Sequence, residues 1–302
     1  MFFVAGAAIL FASKGLFSKA LYQRGVGFEL LVTARALLAM PLFIWFALFN
    51  NKGNNKGTNR GESAAARPPW RAFAAAAVAG ITCYYVGAMV DFWALEMIDA
   101  SIERVLLFSY PALVVLINSF MRREPPERRV VLAMLVTYAG IFFAMGGVDL
   151  TELRTNLFGA SLVLIAALTT AIYFLMGERY VHQLGSTRFA AIGMSSSAVV
   201  LAVHFALFRD FDEVTALGAH EWMLLGVLAI ACMFLPGLLQ AEGVRRVGAQ
   251  RAAIGSTVGP PTTIVLAAIF LGERLNAWQL LGSAMIVVSV LVLSLGKSAA
   301  PE

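Results

Sequence analysis

Glu29-Leu-Leu-Val-Thr-Ala-Arg35-Ala-Leu-Leu-Ala-Met-Pro41-Leu-Phe-Ile-Trp-Phe-Ala-Leu-Phe49 carries two charged side chains in 21 residues. Coiled as a helix rising about 1.5 Å per residue, it reaches about 30 Å, the thickness of a bilayer's hydrocarbon core. The run is continuous and does not alternate with period two. A spanning helix is therefore expected, not a strand of a membrane barrel.

Working outward, runs of the same kind recur along the chain. Spans are expected near 2–22, 29–49, 71–92, 99–121 and 129–147, and again near 156–178, 188–208, 221–241, 250–271 and 276–296. The composition agrees: 60% of the 302 residues are hydrophobic and 14% charged, and mean hydropathy is +0.78. Water-soluble domains carry about 25% charged residues, so this chain needs lipid as its solvent. The longest polar stretch, residues 50–69, is rich in Asn, Lys and Gly and reads as a flexible loop. No basic residue precedes the first apolar run, so a cleaved leader is not expected. The expectation is an all-α integral membrane protein of ten helices.

Positive charge in short loops marks the cytoplasmic side. With the N-terminus inside, the inner loops collect Lys52, Lys56, Arg60, Arg67 and Arg71, then Arg122, Arg123, Arg128 and Arg129, and later Arg245, Arg246 and Arg251. The outer loops hold fewer basic residues and more acids, among them Glu96, Asp99, Asp210, Asp212 and Glu213. Both termini are expected in the cytoplasm, and the net charge of +5 belongs to this rule, not to nucleic-acid binding. Cys83 and Cys232 are isolated within spans, and His182, His204 and His220 are scattered. No metal-ligand spacing or disulfide framework is present, and no phosphate-binding loop of the Walker type appears. No cofactor and no metal are expected.

Ten spans divide into five and five. An offset of 149 residues superposes Cys83 on Cys232, Ala100 on Ala249, Pro111 on Pro260, Glu124 on Glu273 and Leu132 on Leu281. Five is odd, so a second copy enters the membrane from the opposite side, and the basic Arg122–Arg129 loop against the nearly neutral Glu273–Arg274 turn agrees. The expected division is 1–147 and 148–302. Inverted repeats recur in secondary transporters, with substrate held near the midplane between the halves.

Several strings carry a family resemblance. They are Phe11-Ala-Ser-Lys14-Gly-Leu-Phe-Ser-Lys19, Arg35 with Pro41, Asp91-Phe-Trp-Ala-Leu, and Ala100-Ser-Ile-Glu-Arg-Val-Leu-Leu-Phe-Ser-Tyr-Pro111. In the second half they are Gly259-Pro260 and Leu271-Gly-Glu-Arg-Leu275. Their order resembles the drug/metabolite transporter superfamily, in particular its ten-helix EamA-type members built from two EamA repeats. The first repeat departs at its end, where Arg122-Arg-Glu124 replaces the Gly-Glu of the second. The resemblance implies amino-acid or metabolite export through a central cavity that opens alternately to each side, and leaves the solute unnamed.

Charges inside spans are costly, by about 2.5–3.5 kcal/mol at a helix centre, and mark interior or functional positions. Lys14 lies in the outer half of the first span, Arg35 in the second, Asp91 at the end of the third, and Glu103 and Arg104 at the start of the fourth. By depth they share one layer. Lys14 could meet an anionic substrate group or, deprotonated on burial, couple transport to protons. Alternatively, Lys14 pairs with Asp91 or Glu103 while Arg35 takes the other acid. Arg104 and Glu96 are expected nearer the rim. A second constellation comprises Tyr84, Tyr85, Tyr110, Tyr173, Thr169, Thr170, Ser256 and Thr257. Tyr84 and Tyr85 diverge by about 100° on a helix, so one of them lines a cavity. Hydroxyls also serve helix packing, the expected role of Ser195-Ser-Ser197. Pro111, Pro236 and Pro260 are candidate bends beside the cavity, and Gly255 with Gly259 allows close helix contact.

The function expected is secondary transport, most simply export of a small polar metabolite such as an amino acid, and not enzymatic. The alternatives are a non-transporting membrane scaffold or sensor, or a membrane enzyme. Partners are the small-molecule solute and membrane lipids, with a second copy of the chain as a candidate.

Overall fold

A computed structural model describes residues 2–49, 69–123, 125, 128–144, 150–239, 262, 266, 269–270 and 276–295. The Asn-rich loop over 50–68 lies outside the described residues, as do Ser256, Thr257, Pro260, Gly255 and Gly259. Among the described residues there is no β-strand.

The chain runs α1 (Phe2–Ala12), α2 (Lys14–Tyr22), α3 (Phe28–Phe49) and α4 (Trp70–Gly80). A π-helical turn (Ile81–Gly87) leads into α5 (Ala88–Met97), followed by α6 (Ala100–Leu107), α7 (Tyr110–Arg122) and α8 (Arg128–Ala144). Then come α9 (Leu150–Leu184), α10 (Ser186–Phe208), the short α11 (Asp212–Thr215), α12 (Ala219–Ala229) with a second π turn (Ile230–Phe234), and α13 (Ala277–Leu295). Five described segments are long and apolar enough to cross a membrane: Phe28–Phe49, Trp70–Met97, Leu157–Val181, Thr187–Phe208 and Ala219–Leu239.

The first and fourth expected spans are each two helices instead of one rod. In the fourth, the break at Phe108–Ser109 falls just before Pro111, which has no N–H to give to the Leu107 carbonyl. In the first, the break is at Ser13, with no proline to announce it. The third span continues to Met97, so Asp91 sits inside the helix and does not close it. Its charge is met by a neighbouring cation, and the apolar Phe92-Trp-Ala-Leu run beyond it sustains the helix. The sixth span is likewise longer than expected, since α9 has 35 residues.

The two π turns are matched. Ala88 N–H reaches back to the Cys83 carbonyl and Leu235 N–H to that of Ile230, the wide i→i+5 pattern. Ile81 and Ile230 are 149 residues apart, the offset that superposes Cys83 on Cys232. The second turn precedes Pro236, which offers no N–H to the Cys232 carbonyl. The first is pressed from both sides. Gly80 lies so close to the Gly193 backbone of α10 that a Cβ would overlap it, and a Cβ on Gly87 would overlap Thr169 of α9.

These crossings let α3, α5, α10 and α12 gather around Leu31, Phe43, Phe92, Leu201 and Leu225. Other apolar side chains point outward: Trp45, Leu48, Phe49, Leu207 and Phe208 are exposed. Helices apolar on all sides suit lipid, where outward leucines and phenylalanines have no contact with water. Polar pairs collect at one end of the bundle. Arg24 bonds Glu221 at 3.0 Å, Arg209 pairs with Glu29 and, at 3.8 Å, with Glu213, and Glu96 accepts from Phe28 N–H at 3.2 Å.

Candidate functional site

The site begins with the break in the first span. Ser13 Oγ donates to the Leu10 carbonyl at 2.7 Å and lies 3.3 Å from Cys232 Sγ in the second π turn. The break frees the Phe11 carbonyl from helical bonding, and Arg104 Nη2 donates to it. Beyond the break, Gly15 presses α2 onto Ala100 so closely that a Cβ would collide with the alanine's own. That contact carries Lys14 to Glu103, one turn further along α6.

Lys14 Nζ donates to Glu103 Oε1 at 3.0 Å and also to Asp91 Oδ2. All three are withdrawn from solvent, at 5%, 0% and 6% exposure for Lys14, Glu103 and Asp91. One cation therefore serves two carboxylates. Each carboxylate keeps one buried oxygen without a partner, Asp91 Oδ1 and Glu103 Oε2. A shared ammonium at this depth satisfies much of the charge of both acids, and leaves each able to accept one further hydrogen bond.

Arg35 behaves differently. Its guanidinium carbon lies 4.2 Å from the centre of the Phe92 ring, and Lys14 Nζ lies 4.9 Å from the same ring. Tyr22 Oη donates to the Phe92 backbone carbonyl at 2.7 Å, tying this residue to α2. Among the described residues no carboxylate pairs with Arg35, and its Nε has no partner. The expected division, one acid for Lys14 and one for Arg35, is thus corrected: both acids converge on the flexible lysine. Arg104 is corrected too, being 5% exposed at the helix break and not at the rim, whereas Glu96 is exposed.

The aromatic constellation splits. Tyr84 meets Tyr173 edge-on at 5.0 Å, and Tyr110 stacks on Phe174 at 5.3 Å, next to Tyr173. Tyr85 turns away, its hydroxyl 2.9 Å from His204 Nδ1. Thr169 and Thr170 both donate to the Ala166 carbonyl of their own helix, and Ser197 to that of Met194. Pro236 is buried behind the second π turn. Sequence reasoning missed Ser13, Tyr22, Phe92 and His204. Only Ser13 left a trace, as a hydroxyl beside Lys14 in an apolar run. A cavity of about 250 Å³ lies elsewhere, among Ser109, Ala112, Leu113, Tyr138, Leu164, Ile165 and Leu168. It holds no charged group, so the chemistry belongs to the buried charges instead.

Comparison with known proteins decides the family of this membrane chain with buried charges beside a broken helix. Residues 1–146 and 157–295 each match the EamA-like transporter family. The chain belongs to that family. It is 31% identical over 283 residues to the uncharacterized transporter YcbK of Bacillus subtilis (strain 168), covering 93% of this chain and 88% of the relative. The uncharacterized inner membrane transporter YicL of Salmonella typhimurium (strain LT2) is 24% identical over 67% of this chain and 66% of its own. A protein of known crystal structure superposes on 96% of this chain and 95% of its own with a TM-score of 0.65. At 17% identity that likeness concerns the fold alone. This EamA chain is an integral membrane protein of the transporter class.

Proposed function

We propose that the protein is a secondary transporter that carries a small polar metabolite across a bacterial inner membrane by alternating access. The observation that carries this reading is the buried layer of Lys14, Arg35, Asp91, Glu103 and Arg104 beside the break at Ser13. Interrupted helices in transporters expose backbone and charge where a solute binds. In this reading residues 1–147 and 148–302 form two five-helix halves of inverted topology that rock about the layer. The matched π turns at Ile81–Gly87 and Ile230–Phe234 supply wide, deformable segments at equivalent places in each half.

Both termini face the cytoplasm, so the end bearing Arg24, Glu29, Arg209 and Glu221 is the outer one. Export is the direction, with an amino acid as the simplest cargo. Tyr84, Tyr110 and Tyr173 line the path on the aromatic side. Pro111 and Pro236 allow the bends. Proteoliposomes containing the purified full chain test the reading. Labelled solute should cross under an imposed proton or solute gradient, in excess of protein-free vesicles. Equal flux in the two preparations would defeat it.

A further inference from the structure

Among the described residues, the layer's charges do not balance. Lys14, Arg35 and Arg104 provide three cations, Asp91 and Glu103 two carboxylates, and every one of these residues is at least nine-tenths buried. Both carboxylates are taken by Lys14. Arg104 is engaged by the Phe11 carbonyl. Arg35 is left at 7% exposure with an aromatic face as its described contact and an unpartnered Nε. A ring beneath a guanidinium occupies its face and leaves the N–H groups around its edge directed outward in plane. Those donors form a planar fork that matches the two oxygens of a carboxylate, sulfonate or phosphate. A buried cation without a counter-charge is costly unless a partner arrives.

We propose that Arg35 binds the anionic group of the transported solute, so that the cargo class is organic or inorganic anions and the lysine is structural. This rests on the transporter reading above and narrows it. The anion completes the charge of the layer, and the Phe92 ring, 4.2 Å from the guanidinium carbon, backs the group that receives it. Lys14 is unsuited to the task because its ammonium already serves two carboxylates.

The test uses the detergent-purified full chain, wild type and Arg35→Gln, at constant ionic strength. Melting temperature is read with L-lactate, succinate, L-glutamate, isethionate and inorganic phosphate as anions. Mannitol and glycerol serve as neutral probes, putrescine and choline as cations. Two results are expected. Without solute, Arg35→Gln melts close to wild type, because among the described residues no carboxylate bonds to the guanidinium. With solute, stabilisation is confined to one or more anions, about 2–4 °C at tenfold Kd, and is absent in Arg35→Gln.

A variant that melts well below wild type would make Arg35 a structural residue and overturn the proposal. So would stabilisation by a neutral or cationic probe, an anion effect that survives in Arg35→Gln, or no stabilisation by any anion. Arg35→Lys separates charge from fork: it should keep weakened stabilisation, and loss as complete as in the glutamine variant would show that the bidentate edge is what binds. The two proposals fail separately. Anion stabilisation that depends on Arg35 without flux in vesicles would refute transport alone, while anion flux unchanged in Arg35→Gln would refute the assignment of Arg35 alone.

Discussion

Replacing Lys14 by methionine keeps the length of the side chain and deletes the one cation that two buried carboxylates share. At the 3.0 Å separation from Glu103, a unit charge pair at an effective dielectric of about 20 is worth roughly 5–6 kcal/mol before desolvation is considered. Removing one partner of a buried pair typically costs about 3–5 kcal/mol, because the charge left behind has lost its counter-charge. Here two acids are left, each already holding one unpartnered oxygen. The expected outcome is therefore at the upper end, a loss of about 4–5 kcal/mol. A second change should reverse part of it. Lys14→Met with Glu103→Gln removes one of the stranded charges, so a double-mutant cycle should give a coupling of about 1–3 kcal/mol. The assay is reversible unfolding in detergent, followed by tryptophan fluorescence. A Lys14→Met protein within about 0.5 kcal/mol of wild type, or a cycle with no coupling, would refute the shared-cation account.

Other consequences follow from the same contacts. Arg104→Ala strands the Phe11 carbonyl at the helix break and should cost about 1–3 kcal/mol; Arg104→Lys, which can still donate, should recover part of it in the same unfolding assay. Gly80→Val drives a side chain into the Gly193 backbone and should destabilise by about 1–3 kcal/mol or more, while Gly226→Ala, in open space, should be near neutral. Tyr85→Phe removes a hydroxyl contact with His204 and should cost about 0.5–1.5 kcal/mol, with solute-induced stabilisation unchanged. Arg209→Ala breaks half-exposed pairs with Glu29 and Glu213 and should change stability by less than about 1 kcal/mol, less still in high salt.

The layer was legible in the sequence because depth along a spanning helix is counted in residues. Lys14, Arg35, Asp91 and Glu103 lie at similar depths, so their meeting follows from span positions alone. The choice of partner does not. Whether Asp91 turns to Lys14 or to Arg35 depends on the few ångströms that Gly15 gains against Ala100 and on where the Phe92 ring stands. Both are set by tertiary contacts. The boundaries of α3 and α10 are close to expectation, since an apolar run ends where polar residues begin. The end of α5 is not, because a charge compensated within the bundle does not end a helix. The break before Pro111 could be read from a missing N–H, whereas that at Ser13 arises from packing against α6 and Cys232. The π turns have no local code; the pairing of Cys83 with Cys232 marked their positions without revealing their geometry.

The central claim, that a buried charged layer in an EamA chain moves solute, is tested most directly by gradient-driven flux in proteoliposomes. Wild type, Arg35→Gln and Lys14→Met/Glu103→Gln should be reconstituted in parallel, with labelled L-lactate, succinate, L-glutamate, isethionate and phosphate as cargo. The account predicts protein-dependent flux of at least one of these in wild type and its loss in Arg35→Gln, while the folded double variant retains some flux. Flux indistinguishable from empty vesicles for every solute, or equal in wild type and Arg35→Gln, would contradict it.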